Sequence, residues 1–154
     1  RVAEVMESRR AEFATALRDT GRPARSARRE VDASIDRWVW YAGWADKVHH
    51  VLGSVNPVAG PYFNFTVPEP TGVVVIAAPD EPPLMGLLSR LAPAIVSGNT
   101  AIVLTGGAAS LVAVSLAEVL ATSDVPAGVV NVFTWECARL IIPLVSHITL
   151  YFDS

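Results

Sequence analysis

The sequence predicts an α/β fold in which N-terminal helices precede an incomplete Rossmann-like parallel sheet. Three observations lead to this prediction. Residues 2–51 place apolar side chains at helical spacing. From residue 72 onward, short β-branched runs alternate with apolar segments of three to four helical turns, a pattern typical of a parallel sheet with crossover helices. Residues 53–71, between these regions, carry repeated Pro and Gly and predict an arm or an edge strand.

Two helices are expected in the N-terminal region, residues 1–52. The first covers residues 2–19 and ends before Gly21 and Pro23. Its apolar stripe consists of Val2, Val5, Met6, Phe13, Ala16 and Leu17. The second covers residues 25–51, with a stripe of Val31, Ile35, Trp38, Val39, Ala42 and Ala45. The aromatic residues Trp38, Trp40, Tyr41 and Trp44 suit either helix packing or a ligand-stacking box, and their helical spacing favours packing.

The remaining elements follow in order. YFNFTV, residues 62–67, alternates apolar and polar residues and predicts a short strand in the arm. The third region, 72–154, then alternates strands with helices. Strands are expected at 73–78, 100–104, 129–133 and 148–152. Helices are expected at 83–98, 109–123 and 138–147, the last interrupted by Pro143.

Composition limits the classes of function. The chain of 154 residues is 51% hydrophobic and 18% charged, with a mean hydropathy of +0.39. This apolar balance predicts burial against a partner or against further parts of a longer chain, and we expect association or aggregation of the isolated chain. The net charge is −3, and the basic N-terminal third interleaves acids with bases, so no nucleic-acid partner is expected.

Other features bear on location. The most apolar run, 73–79, is far shorter than the roughly 20 residues that span a bilayer, so no membrane segment is expected. The first residues lack the apolar core of a signal peptide. A single cysteine, Cys137, excludes an internal disulfide framework and favours a reducing cytoplasm. The chain begins without Met, so we expect its true N-terminus upstream.

Three stretches in order resemble the aldehyde dehydrogenase superfamily over about residues 1–152. They are PEPTGVVVIAAP (68–79), PLMGLLSRLAPAIVSGNTAIVL (83–104) and LAEVLATSDVPAGVVNVFT (116–134). The resemblance implies that residues 72–154 form a partial dinucleotide-binding domain for NAD or NADP and that the arm serves oligomerisation. It also implies oxidation of an aldehyde to an acid: a Cys thiolate attacks the aldehyde, hydride passes to NAD(P)⁺, and water releases the acid with help from a Glu.

In that family, the nucleophile and the Glu lie in the second half, which this sequence does not reach. The resemblance therefore implies the N-terminal portion of an NAD(P)-dependent aldehyde dehydrogenase, with an aldehyde as substrate of a fuller chain and no catalysis by this chain alone. The alternative is a non-catalytic, dehydrogenase-like partner or structural subunit of a homo- or hetero-oligomer. A small nucleotide-binding module is less favoured, because the sequence has no G-x-G-x-x-G or Walker motif.

The resemblance also assigns candidate site residues. Asp80 stands where the family has an Asn that donates to an oxyanion, and an ionised carboxylate cannot donate. The alternatives for Asp80 are a cap on the following helix or plain exposure. Where the family has the loop Lys-Pro-Ser-Glu, this sequence has Thr105, Gly106, Gly107 and Ala108. This difference favours a loop that does not bind the cofactor over a cofactor-binding loop of changed shape. The further cofactor-side candidates are Ala78, Pro79, Asn99, Trp135 and Ser154.

Two of these candidates depart from the family pattern. Trp135 stands where the family has a small residue near the pyrophosphate, so it either crowds the nucleotide or packs on a neighbouring surface. Ser154 follows Asp153, whose negative charge disfavours a phosphate.

Cysteine and histidine residues carry no further site. Cys137 lies too early to match the family nucleophile. His49 and His50 are adjacent and point in different directions on a helix, and His147 is isolated, so no metal site is predicted.

Overall fold

The structure is a computed structural model of the chain and describes residues 1–107, 109–134 and 149–151. Its elements begin with four helices and a two-stranded hairpin, followed by alternating strands and helices. They are α1 (Val2–Ser8), α2 (Arg10–Asp19), α3 (Ala24–Ala42), α4 (Val48–Leu52), β1 (Ser54–Asn56), β2 (Asn64–Thr66), β3 (Val73–Ala77), α5 (Pro83–Val96), β4 (Thr100–Thr105), α6 (Ala109–Thr122), β5 (Val130–Thr134) and β6 (Thr149–Tyr151).

Both N-terminal helices are interrupted, which corrects the prediction of two continuous helices. The first divides at Arg9, where φ is −100° and ψ is 15° and the amide is shared between the carbonyls of Val5 and Met6. The second ends at Ala42, because the amides of residues 44 and 45 bond to carbonyls three residues earlier and tighten the chain beyond the α-helical pitch.

The predicted stripes are confirmed in part. Val2, Met6, Phe13, Ala16 and Leu17 are buried, as are Val31, Ile35 and Trp38. The prediction is wrong for Val39, Ala42 and Ala45, which are exposed. Trp40 is also 54% exposed and stacks beside Trp44 with 5.6 Å between ring centroids. Packing therefore explains Trp38, whereas Trp40 lies on the outer side of α3.

Strands β1 and β2 form an antiparallel hairpin with two unlike faces. On one face, the Asn56 side-chain amide donates to Asn64 Oδ1 at 3.1 Å and to Thr66 Oγ1 at 3.0 Å. The other face carries Val55 opposite Phe65, and both side chains are exposed. The predicted strand within residues 62–67 is confirmed as β2, while β1 was not predicted.

The four parallel strands lie in the order β5-β4-β3-β6. The chain therefore starts in the middle of the sheet, adds two strands on one side, and returns to the other side of β3 for its fourth strand. The predicted parallel α/β sheet is confirmed. The predicted third helix, 138–147, lies outside the described residues.

The main core has three layers. The sheet face with Val74, Ile76 and Val103 packs against α5 and α6, and helices α1–α3 pack on the outer side of that pair. Helices α5 and α6 are thus covered from two sides, which explains much of the high hydropathy of the chain. Their buried residues are Leu84, Leu87, Leu88, Leu91, Val112, Leu116 and Val119. Within the described ranges, no helix is long and apolar enough to cross a membrane.

An ion-pair cluster joins α2 to α6. Arg9 donates to both carboxylate oxygens of Glu12, at 2.8 and 2.5 Å, and to Glu118 Oε2 at 2.6 Å. The Arg9 guanidinium holds the pKa of Glu12 below its ordinary value. Because folding lowers the pKa of this carboxyl, the ion pair stabilises the fold at pH values above the pKa that the carboxyl has in the unfolded chain. This stabilisation disappears as the pH falls through the lower pKa of the folded state.

Replacing Arg9 with Met should therefore lower the free energy of unfolding by about 0.5–1 kcal/mol at pH 7, since these partly exposed pairs are screened by water. The difference from the wild type should be smaller at pH 3 than at pH 7, because protonation of Glu12 removes its attraction to Arg9. Urea unfolding at both pH values measures it, with the exposed Arg18→Met as the control. An equal loss at both pH values would show that packing of the Arg9 stem, not its charge, is responsible.

Candidate functional site at the carboxyl edge of the sheet

For this strand order, a crevice is expected beside the carboxyl end of β3. The connection after β3 leads to β4 on one side, whereas the fourth strand, β6, pairs with β3 on the other side. In open parallel sheets, ligands bind outside the carboxyl ends of the strands at such a reversal point. The segment that leaves β3 here, residues 78–82, contains three of the predicted site residues.

These three residues are differently placed. The Ala78 amide donates to the Leu104 carbonyl at 2.8 Å, which extends the pairing of β3 with β4, and the Ala78 side chain packs on the main core. Pro79 is half-buried and leans on α5. Asp80 is exposed. The exposure predicted as one alternative for Asp80 is thus confirmed.

The other alternative for Asp80, a helix cap, is wrong. Helix α5 has Pro82 at its N-cap position, and no local side chain caps it. Its first free amides, those of Leu84 and Met85, instead donate to Glu30 Oε1 at 2.9 and 3.2 Å. The cap therefore comes from α3, more than fifty residues earlier in the chain.

The loop after β4 approaches the β3 loop. Gly107 has φ of +52°, and a Cβ placed on it would lie 3.9 Å from Asp80 Oδ1. Gly106 is half-buried and precedes it. The structure thus brings together Ala78, Pro79, Asp80, Gly106 and Gly107 at one edge. At this edge the described residues offer mainly the backbone of two glycines, next to the carboxylate of Asp80.

Thr105 does not join this group. The predicted strand ended at Leu104, but pairing with β5 continues to Thr105 opposite Thr134. This extra residue turns the Thr105 side chain to the face that also carries Val103, where it is 1% exposed. Among the described residues its hydroxyl has no hydrogen-bond partner, and it is buried away from this edge.

Replacing Thr105 with Val should stabilise the fold by about 1 kcal/mol. The two side chains have nearly the same shape, and the substitution removes a buried hydroxyl that has no hydrogen-bond partner. Chemical denaturation measures the change. Thr100→Val in the same strand is the control, because Thr100 is only half-buried and should change little. A loss of stability in Thr105→Val would reveal a hydrogen bond of this hydroxyl.

Charged groups also lie beside the segment that leaves β3. Arg90 of α5 donates through Nη1 to the Ala77 carbonyl at 2.6 Å, so a guanidinium is fixed at the carboxyl end of β3. Arg22 contacts the buried Glu30 on one side and forms an ion pair with the exposed Glu81 on the other. Sequence reasoning missed Arg22, Glu30 and Arg90. Glu30 did leave a signal, since it interrupts the apolar face of α3 between Ala27 and Val31.

Asn99 lies at the opposite, amino-terminal edge of the sheet, which corrects its interpretation as a cofactor-side residue. Its Oδ1 accepts from the Gly72 amide at 2.9 Å, and its Nδ2 donates to the Ala94 carbonyl at 3.1 Å and to Ser97 Oγ at 2.9 Å. The side chain therefore ties the end of α5 to the start of β3. The motif around it preserves a structural junction.

The remaining candidate residues add nothing to this group. Trp135, Cys137, His147 and Ser154 lie outside the described residues. His49 and His50 lie on the short helix α4 and are exposed. Among the residues that the structure describes, no group of three or more metal-ligating side chains comes together.

Comparison with known proteins agrees with this architecture. The model of the aldehyde dehydrogenase family matches residues 1–150. A putative aldehyde dehydrogenase, DhaS of Bacillus subtilis (strain 168), is 32% identical over 134 residues, which are 86% of this chain and 26% of that protein. The chain thus spans about a quarter of the length of the curated relatives that it matches.

Solved structures share the fold. PnpE of Pseudomonas sp. WBC-3, also solved in complex with nicotinamide adenine dinucleotide, is 30% identical and superposes with a TM-score of 0.81 over 86% of this chain and 27% of its own. The glyceraldehyde-3-phosphate dehydrogenase GapN of Methanocaldococcus jannaschii DSM 2661, complexed with NADP, is 25% identical, with a TM-score of 0.78 over 97% of this chain and 38% of its own.

Proposed function

This chain belongs to the aldehyde dehydrogenase family, and we propose that it is the N-terminal portion of an NAD(P)-dependent enzyme that oxidises an aldehyde to an acid. The observation that carries the proposal is the strand order: the chain adds β4 and β5 on one side of β3 and β6 on the other, which makes the carboxyl end of β3 a reversal point. The neighbours solved with NAD and with NADP support a dinucleotide as its ligand. A single cysteine in the sequence is consistent with a cytoplasmic location.

The groups at this edge fit a nucleotide mainly through the backbone. Gly106 and Gly107 leave room for close approach, because a Cβ on Gly107 would narrow the gap to Asp80. Ala78 and Pro79 offer an apolar surface beside them. When bound, NAD(P)⁺ supplies the acceptor for the hydride that leaves the aldehyde carbon.

The residues of this chain do not supply every group that the family's reaction needs. Asp80 is the candidate nearest the reaction centre, by its match to the Asn that lines the family's oxyanion hole. An exposed carboxylate repels a developing oxyanion unless it carries a proton. The nucleophilic Cys and the Glu that assists deacylation belong to the second half of the family pattern. We therefore propose that the chain binds and positions its ligands and does not catalyse by itself.

Hydrogen–deuterium exchange with NAD⁺ and NADP⁺ tests the proposal on the natural protein that carries this sequence. Saturating nucleotide should slow exchange in segments 78–82 and 105–107 at the carboxyl edge. Segment 97–100, at the opposite edge, is the internal control and should not change. Protection at neither segment with either nucleotide would remove the cofactor from the proposal.

That negative result would favour a non-catalytic partner subunit. One observation supports this alternative: the described part of the loop after β4 offers no charged side chain, and the hydroxyl of Thr105 is buried. Such a subunit would keep the fold and the hairpin while losing contacts to the nucleotide. Aldehyde oxidation by the natural protein would exclude it.

The hairpin supports association in either case. Its apolar face carries Val55, Phe63, Phe65 and Val67, which are 49–75% exposed, and the rings of Phe63 and Phe65 lie 5.3 Å apart. A two-stranded hairpin gains little stability alone in water. We propose that this face packs against another subunit in a homo- or hetero-oligomer.

Replacing Phe65 with Ser should weaken subunit association by about 10- to 100-fold, since a buried Phe contributes roughly 1.5–3 kcal/mol. Analytical ultracentrifugation of the natural protein measures the dissociation constant. Ser54→Ala, on the polar face of the same hairpin, is the control and should leave association unchanged. Equal association of Phe65→Ser and the wild type would place the interface elsewhere.

A further inference from the structure

The amino end of α5 is filled by a buried side chain from another helix. Glu30 of α3 is 8% exposed, and its Oε1 accepts from the amides of Leu84 and Met85. Pro83, at the first position of the helix, has no amide hydrogen to donate. The Gly86 amide bonds to the Pro82 carbonyl at 2.9 Å. Every donor of the first helical turn therefore has a partner within this chain.

This helix end is the place where a dinucleotide fold ordinarily holds a phosphate. The helix after the first strand of the parallel sheet points its free amides and its positive dipole end toward the crevice, and both favour an anion. In this chain β3 is that first strand and α5 that helix. The carboxylate of Glu30 supplies the anion from inside the protein.

We propose that Glu30 is an internal substitute for phosphate: it occupies the anion position at the amino end of α5, fixes the loop that carries Asp80, and directs the phosphates of any ligand away from this helix. Glu30 is thus a positioning residue that also determines where an anion binds. It touches neither substrate nor cofactor.

Arg22 completes the arrangement. Its Nη1 lies 3.1 Å from Glu30 Oε2, without the alignment of a hydrogen bond, and its other terminal nitrogen pairs with Glu81. Arg22 therefore links the buried carboxylate to the loop immediately after Asp80. A phosphate group at this helix end would meet the same two amides and the same guanidinium, so the carboxylate and a phosphate compete for identical partners.

Because Glu30 fills the anion position at α5, a ligand phosphate at the carboxyl edge of the sheet would have to bind elsewhere. With α5 closed by Glu30, the described backbone left at this edge belongs to the loops after β3 and β4. A ligand phosphate at this edge would therefore have to approach the backbone of these loops, including Gly106 and Gly107. The inference does not depend on nucleotide binding by the wild type, because an anion at α5 can be tested directly.

Sulfate is the probe, and Glu30→Ala in the natural protein is the main variant. Removing the carboxylate leaves two free amides and Arg22 around an empty anion position. In hydrogen–deuterium exchange, segment 83–86 of Glu30→Ala should exchange at least about tenfold faster than in the wild type, and sodium sulfate should restore most of that protection. Sodium chloride at the same ionic strength should not restore it.

Two controls make the result decisive. In the wild type, sulfate should leave exchange in segment 83–86 unchanged, because Glu30 already fills the position. Glu30→Gln keeps an acceptor oxygen but no charge, so it should fold, show intermediate exchange and respond weakly to sulfate. Segment 102–104 of β4 should not change in any variant.

Several outcomes would overturn the inference. Sulfate that protects the wild type and Glu30→Ala equally would show that the helix end is not an anion position. Unchanged exchange of segment 83–86 in Glu30→Gln would show that the charge of Glu30 is not needed there, even if Glu30→Ala fails to fold. Loss of nucleotide binding by the wild type would contradict the proposed function and leave these results in place.

Discussion

Replacing Asp80 with Asn is expected to raise kcat for aldehyde oxidation by about 10²-fold in the natural protein that carries this sequence. An Asn amide donates hydrogen bonds to a developing oxyanion, whereas an ionised Asp accepts them and adds a repulsive charge. Loss of one such donor costs about 10²–10³-fold in known oxyanion holes, and the reverse substitution should recover most of that factor. Asp80 is exposed at the crevice, so the exchange of one oxygen for NH₂ should not disturb packing.

Steady-state kinetics of three variants separate the possible causes. Asp80→Ala removes the charge without adding a donor, so it should give a smaller gain than Asp80→Asn. Asp124→Asn removes an exposed carboxylate before β5, at the opposite edge of the sheet, and should leave kcat within about twofold of the wild type. An unchanged KM with a raised kcat would indicate stabilisation of the transition state. If Asp80→Asn is no faster than the wild type, Asp80 does not face the reacting carbonyl.

The elements that the sequence predicted well are those with a strong local pattern. Strand β3 is a continuous β-branched run, and α5 begins at the second of two consecutive prolines and ends before Gly98, whose φ is +87°. Such signals depend on neighbours in the chain, and tertiary contacts do not override them here. The strand order could not be predicted, because periodicity does not say on which side of β3 the fourth strand pairs.

The sequence predicted where site residues lie only for those whose place follows from the fold; their roles stay predictions. Ala78, Pro79, Asp80, Gly106 and Gly107 follow the ends of adjacent parallel strands, and the structure brings them to one edge. Thr105 lies away from this edge because β4 extends by one ladder position, which sets the direction of its side chain. Asn99 lies at the opposite edge, where its side chain ties the end of α5 to the start of β3, a contact that the sequence pattern does not reveal.

The cap on α5 shows why local rules missed the rest. The segment before α5 contains Asp80, a common capping residue, but Pro82 occupies the N-cap position and no side chain of this segment caps the helix. The acceptor comes from Glu30, in a helix that only tertiary packing brings near. A charged residue within an apolar stripe indicates a buried polar contact, but the sequence does not name its partner.

Replacing Gly86 with Ala should destabilise the fold by about 1–2 kcal/mol, although Ala is the better helix former. In an open helix the substitution would gain roughly 1 kcal/mol. A Cβ on Gly86, however, would lie 2.4 Å from Cγ of Pro79, a distance that forces the loop or the helix to move. Overpacking of this kind typically costs 1–3 kcal/mol, and the ring of proline cannot rotate away. The clash therefore outweighs the gain in propensity.

Gly43→Ala is the matched control for this substitution. Gly43 ends α3 in the right-handed helical region, and its added Cβ would meet ordinary contacts, the shortest at 3.4 Å to the Trp40 carbonyl. Its stability should stay equal or rise slightly, while Gly86→Ala loses stability in the same denaturation experiment. Displacement of Pro79 would also move Asp80, so Gly86→Ala should lower kcat or the affinity for nucleotide, and Gly43→Ala should change neither. Equal stabilities of the two variants would mean that the loop yields without cost, and that Gly86 does not hold the crevice in shape.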